Sequence, residues 1–171
     1  KLAEYNLEIF DLEHLWTHGG SMRYFVAKKG KRPTVAIVEE QKIKKEGEVK
    51  EKMHNLAERI VSSKQELLNI MELIKGKAIC GFGATSKGVV VTNYCGLGPK
   101  DIPWITDTTP TKIGKLYPGS HIPIVSQAGV KYSEYQYIFN FAWNHFEEIK
   151  ELMKGKFSGK WITHVPHPRI V

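Results

Sequence analysis

"KAICGFGATSKG", residues 77–88, is the stretch on which the reading of this chain turns. A short apolar run meets two glycines one residue apart, then small residues, then Lys87. A strand ending at Phe82, a glycine turn and a helix starting near Ser86 would direct unpaired N–H groups and a partial positive charge at an anion. Gly81 and Gly83 would let the backbone turn and a ligand come close, with Ala84 in the turn and Lys87 adding a full charge. The other reading is a glycine turn that only lets helix pack on strand. A G-x-G-x-x-G dinucleotide fingerprint needs glycine at 86, where Ser86 stands, and Gly88 comes two places late. Lys87 precedes its glycine, so there is no Walker pattern either.

From this stretch onward short apolar segments alternate with helix-like or loop segments. Strands are expected at 78–82, 102–106, 122–125, 136–142 and 160–165. Helices are expected at about 86–95, 110–114, 127–133 and 144–154. Such alternation predicts an α/β domain, a Rossmann-like three-layer parallel sheet with helices on both faces. Upstream, Val49, Met53, Leu56, Ile60, Leu67, Met71 and Ile74 form the stripe of a long amphipathic helix. "SKQE" at 63–66 has capping-box form and predicts a break near Ser62–Ser63, and Gly76 ends the helix. Before it, "YNLEIF" and "SMRYFVA" flank "THGGS" and predict an antiparallel hairpin. The organisation expected is a hairpin at 1–28, a lysine-rich linker at 29–47 and the α/β domain at 48–171. A two-stranded ribbon is marginal by itself, and its open edges invite a homodimer through the hairpin.

In an open α/β sheet ligands bind beyond the carboxyl ends of the strands. The residues expected there are Gly83–Ala84, Asp107, Trp143–Asn144 and Pro166–Arg169, with Lys112, Lys115 and His121 on neighbouring loops. Asp107 ends "IPWITD" about two dozen residues after Gly83, where a carboxylate can accept hydrogen bonds from a ribose or sugar hydroxyl; capping the following turn is its other reading. Trp143 offers a stacking face, Asn144 hydrogen bonds, and Lys87, Lys112 and Arg169 phosphate contacts, a set that suits a nucleoside diphosphate.

The chain has 171 residues and a formal charge of +7, which favours an anionic partner. The positive charge is scattered, with "KKGKR" (28–32) its densest run, and no zinc-finger or RRM signature accompanies it, so no nucleic-acid partner is expected. No run of apolar residues is long enough for a bilayer, so no membrane partner is expected. Cys80 and Cys95 have no metal-ligand spacing; Cys80 reads as a small buried hydrophobe, and free thiols suit the cytoplasm. No catalytic or metal-binding residue is assigned. The chain opens on "KLAEYNLEIF" without a Met, which reads as a fragment of a longer protein.

"GFGATSKG…NYCG", "ITDTTPTKIGKLYPGSHIPI", "FAWN" and "VPHPRIV" strongly resemble the C-terminal domain of S-adenosylmethionine-dependent sugar C-methyltransferases, and the resemblance covers nearly the whole chain. It implies a nucleotide-linked keto-deoxysugar as ligand, and the residues expected to hold it are Gly81, Gly83, Ala84, Lys87, Asp107, Lys112, His121, Trp143, Asn144 and Arg169. It also implies a longer protein with a zinc-binding domain and a central catalytic domain that binds S-adenosylmethionine. The segment "HGGSMRYF" resembles the end of that catalytic domain, so residues 1–28 would be its remnant and the missing domain a partner. No cofactor is expected in this chain, and the family's acid/base motif would lie before Lys1, leaving the chain inactive alone. Thr108 stands where the family commonly has arginine, and His167 where it has glutamate. The alternatives are a non-catalytic interaction domain and an NAD(P)-dependent oxidoreductase, the latter opposed by the broken fingerprint.

Overall fold

The computed structural model describes residues 1–15, 21–36, 38 and 53–171. The chain divides into two compact units, Lys1–Glu58 and Arg59–Val171. The connection "THGGS" falls largely outside the described residues, as do residues 39–47 of the expected linker and Val49 of the helical stripe.

In the first unit β1 (Leu7–Leu15) pairs antiparallel with β2 (Ser21–Lys28), from Leu7↔Lys28 to Leu15↔Ser21. Both strands run longer than the apolar segments that announced them. A bulge between Ile9 and Asp11 shifts the register and bends the ribbon. Arg23 donates to Glu13 at 2.8 Å across the pair, an exposed bond of modest worth. None of the residues in either strand is buried.

The second unit is built on α1 (Leu56–Leu73, which enters it at Arg59), β3 (Ile79–Phe82), α2 (Ser86–Cys95), β4 (Ile105–Asp107), β5 (Ile124–Ser126), β6 (Tyr137–Asn140), α3 (Phe146–Leu152), β7 (Lys160–Thr163) and β8 (Arg169–Ile170). The sheet order is β5-β4-β3-β6-β7-β8. The first five strands are parallel and β8 returns antiparallel on the edge. All four residues of β3 are buried, as a central strand covered on both faces requires. Gly81 has no room for a side chain: a Cβ there would lie 2.7 Å from Ile105 and 3.0 Å from Phe141.

Two apolar layers sandwich the sheet. On one face Leu67 and Met71 of α1 pack with Ile105, Phe139, Phe141 and Ile162, and α2 adds Val89 and Val91. On the other, Ile149 of α3 and Met153 pack with Cys80, Phe82, Ile138 and Trp161. Each such fully buried side chain stabilises by about 1.5–3 kcal/mol. The expected three-layer arrangement is therefore the observed one, and Cys80 is buried completely within it.

Several local expectations are corrected. α1 is unbroken through Ser62–Ser63, because Ser62 donates forward to Glu66 at 3.2 Å and Gln65 to Asn69 at 2.9 Å along the helix instead of capping a new one. Residues 110–114 form turns and 127–133 no α-helix, only the short 3-10 turn Tyr132–Glu134. β4 starts after Pro103, which has no N–H to give a ladder. β8, inside "VPHPRIV", was not anticipated as a strand; two residues carry too little pattern.

Candidate functional site

The sheet order places a switch point between β3 and β6, from which the chain proceeds to β4 on one side and to β7 on the other. The loops after β3 and β6 meet there, where open α/β sheets bind ligands. Gly83 has φ +81, and a Cβ on it would lie 2.9 Å from the Cβ of Ala142. The two loops touch at their base.

Most backbone donors of the β3 loop are used internally. Gly83 N–H donates to the Thr106 carbonyl at 2.8 Å and Thr85 N–H to the Gly83 carbonyl at 2.8 Å. Ala84 N–H donates to Asp107 Oδ2 at 2.9 Å. Thr85 caps α2: its hydroxyl accepts from Gly88 N–H at 3.2 Å and donates to the Phe141 carbonyl at 3.1 Å. The Tyr117 hydroxyl donates to the Thr85 carbonyl. Gly88 makes room for this, since a Cβ on it would lie 2.6 Å from Phe141. The first-turn N–H groups of Ser86 and Lys87 are those that an α-helix itself leaves unbonded. An anion at this helix start would thus meet Ser86 and Lys87 and not the glycines.

Asp107 is almost buried and sits at the end of β4. Its Oδ2 also accepts from Lys112 Nζ at 3.2 Å, and its Oδ1 from Thr109 N–H at 2.8 Å. Burial pushes its carboxyl up, but hydrogen bonds from Thr109 and the Lys112 ammonium outweigh this and hold it below the ordinary 3.8. Lys112 Nζ donates to the Ala84 carbonyl at 2.9 Å as well, so the pair ties the β4 and β3 loops together. Of the two sequence readings of Asp107, turn capping is what these bonds perform.

Across the switch point Lys87 Nζ lies 4.7 Å over the Trp143 ring. Trp143 and Asn144 stand in a half-buried 3-10 turn, Trp143–His145, directly after β6. Gly83, Ala84, Lys87, Asp107, Lys112, Trp143 and Asn144 are therefore gathered around the carboxyl ends of β3, β4 and β6. Gly81 lies within β3 with its space filled. Arg169 begins β8, opposite Thr163, three strands from β3 or roughly 14 Å at about 4.8 Å per strand. His121 (φ +58) lies in the turn before β5, at the other end of the sheet. Asn93, near the far end of α2, holds that turn through the Pro118 carbonyl at 2.9 Å.

Sequence reasoning missed the polar ends of the two strands beyond the switch point. Asn140, Thr163 and His164 are buried, and Asn140 Nδ2, Thr163 Oγ1 and His164 Nδ1 have no hydrogen-bond partner among the described residues. A polar residue closing an apolar strand, as in "YIFN" and "WITH", was the available signal; strands drawn to 142 and 165 hid it as interior. Burial pushes His164 down from 6.5 to about 4, so its ring is neutral at pH 7. Among the described residues no group of three His, Cys, Asp or Glu side chains is placed to hold a metal. No helix among them is long and apolar enough to cross a membrane.

Comparison with known proteins points in one direction. The profile of the C-methyltransferase C-terminal domain matches residues 16–166. The chain is also 34% identical over 179 aligned residues to C-methyltransferase NovU of Streptomyces niveus, covering 98% of this chain and 42% of that protein. It thus spans less than half the length of this curated relative.

Proposed function

The chain belongs to the family of C-methyltransferase C-terminal domains, and from that premise we propose that it holds a nucleotide-linked keto-deoxysugar for methylation. The observation that carries the reading is the meeting of Lys87, Trp143, Asn144 and Lys112 at the switch point of the sheet. Trp143 supplies a stacking face, Lys87 and the free first-turn donors face a diphosphate, and Asn144 offers an amide to a hydroxyl or carbonyl. Asp107 and Lys112 brace the loop that presents them.

Methylation of a carbon beside a ketone needs a base that removes a proton and an electrophilic methyl group held in line. S-adenosylmethionine supplies that methyl group. The β3 loop does not suit such a donor, because its Ala84 N–H is taken by Asp107. We assign donor binding and acid/base chemistry to another part of a longer polypeptide, so that this chain alone binds ligand weakly and transfers no methyl group.

Calorimetric titration with thymidine, uridine and guanosine diphosphates and their sugar adducts tests this. Saturable binding is expected, weakened roughly threefold to tenfold by Trp143→Ala and by Lys87→Ala. No heat from any of them at millimolar concentration would overturn it. That outcome would favour a second reading, an interaction domain whose crevice is filled by its own groups, as Asp107 fills the position beside Ala84 N–H.

A further inference from the structure

Asn140 and Thr163 end adjacent parallel strands. The ladder between β6 and β7 pairs Phe139 with Ile162, so Asn140 and Thr163 form the next rung. Strand alternation puts both on the face of Cys80, Phe82, Ile138 and Trp161. Asn140 is 0% and Thr163 2% exposed. Asn140 Oδ1 accepts from Ala142 N–H at 3.0 Å, which leaves its amide N–H groups as donors without an acceptor. Thr163 Oγ1 has no partner among the described residues. A buried polar group left in this state costs its full desolvation. The same row holds a buried hydroxyl that is fully bonded: Thr106 donates to the Gly81 carbonyl at 3.3 Å and accepts from Tyr132 at 3.0 Å.

We propose that Asn140 and Thr163 form a polar subsite at the carboxyl ends of β6 and β7 for an uncharged oxygen of the bound ligand, a hydroxyl or a carbonyl. The proposal rests on the ligand class proposed above and names the residues that read its neutral part. Amide N–H donors beside a hydroxyl that both donates and accepts match such an oxygen. Both side chains stand on the face of an apolar cluster, where an ionised group would lose its hydration at high cost. Both atoms are closed from solvent, so a neighbouring segment must move for ligand to reach them.

Thr163→Val keeps the shape and removes the hydroxyl; Thr163→Ser restores it. Titration of the whole chain with pyrophosphate, thymidine diphosphate and thymidine-diphosphate-glucose reads the effect. Thr163→Val is expected to lose roughly threefold to tenfold in affinity, with Thr163→Ser retaining it and pyrophosphate unaffected. Loss confined to the glucose adduct assigns the oxygen to the sugar; loss shared by the diphosphate assigns it to base or ribose. Equal affinities of folded Thr163→Val and the parent for every probe overturn the proposal. Without ligand the Thr163→Val chain is expected to melt at the parent's temperature or higher. A drop of about 2–4 °C or more means that an internal water already satisfies the hydroxyl, and also overturns it. If the parent chain binds no probe, the proposed function fails, and the melting temperatures alone decide whether the hydroxyl is unpartnered.

Discussion

At Asp107 three donors converge on one nearly buried carboxylate, from Ala84, Thr109 and Lys112. Asp107→Asn removes the charge from all three bonds and should cost about 1–3 kcal/mol, read as a lower denaturation midpoint in urea. Its folded pKa lies below the ordinary 3.8. The stability it contributes is therefore complete above that value and lost as pH falls through the lowered one, an acid dependence Asp107→Asn should lack. His164 acts higher on the pH scale. Its ring titrates near 6.5 when unfolded and at about 4 when buried. The unfolded chain thus binds the extra proton between these values, and stability falls by about 3 kcal/mol as pH drops across them. His164→Leu should flatten that decline in a series of thermal melts from pH 7 to pH 4. The sequence marks Asp107 as a polar strand end, but not which of its two readings holds. Its three partners come from two loops, Ala84 after β3 and Thr109 and Lys112 after β4, and give it turn-capping bonds.

At the scale of elements α2 is the most informative. Its span, Ser86–Cys95, agrees with the sequence reading because Gly83 before it and Gly96 after it bound one helical turn pattern cleanly. Its cap is tertiary as well as local, since Thr85 bonds both Gly88 N–H and the Phe141 carbonyl of the neighbouring loop. Thr85→Ala should cost about 1–2 kcal/mol in chemical denaturation, with Thr85→Ser close to the parent. α1 shows the opposite case. Its serines and SKQE run have the form of a stop and a fresh start, yet the helix continues. Burial of Leu67 and Met71 on one stripe outweighs a capping preference that is worth only about 1 kcal/mol. β8 was invisible because two residues, Arg169–Ile170, have no periodicity to read; pairing with Ile162 and Thr163 makes them a strand.

For the whole molecule, the two apolar clusters draw, among the described residues, on Leu67 and residues after it. A chain trimmed to begin at Met53 should therefore still unfold in one cooperative thermal transition, with the near-ultraviolet signal of buried Trp161 and Phe139 kept. Loss of that transition would mean that the second unit does not fold without residues 1–52. The candidate site has the same dependence on global arrangement. Lys87, Asp107 and Trp143 stand far apart in the chain and come together because β4, β3 and β6 are neighbours in that order.

The strand-helix alternation, the glycine turn opening α2 and the buried Leu67–Met71 part of the α1 stripe were determined by local sequence, because periodicity and backbone freedom are properties of neighbouring residues; Met53, Leu56 and Ile60, expected on the same stripe, are exposed. The order of the strands is not. It decides that Lys87 lies over Trp143, that Asp107 braces Ala84, that His121 stands at the far end, and that Asn140 and Thr163 share a buried rung. Those relations join residues from different strands and loops, and only packing of the sheet brings them within reach of one another.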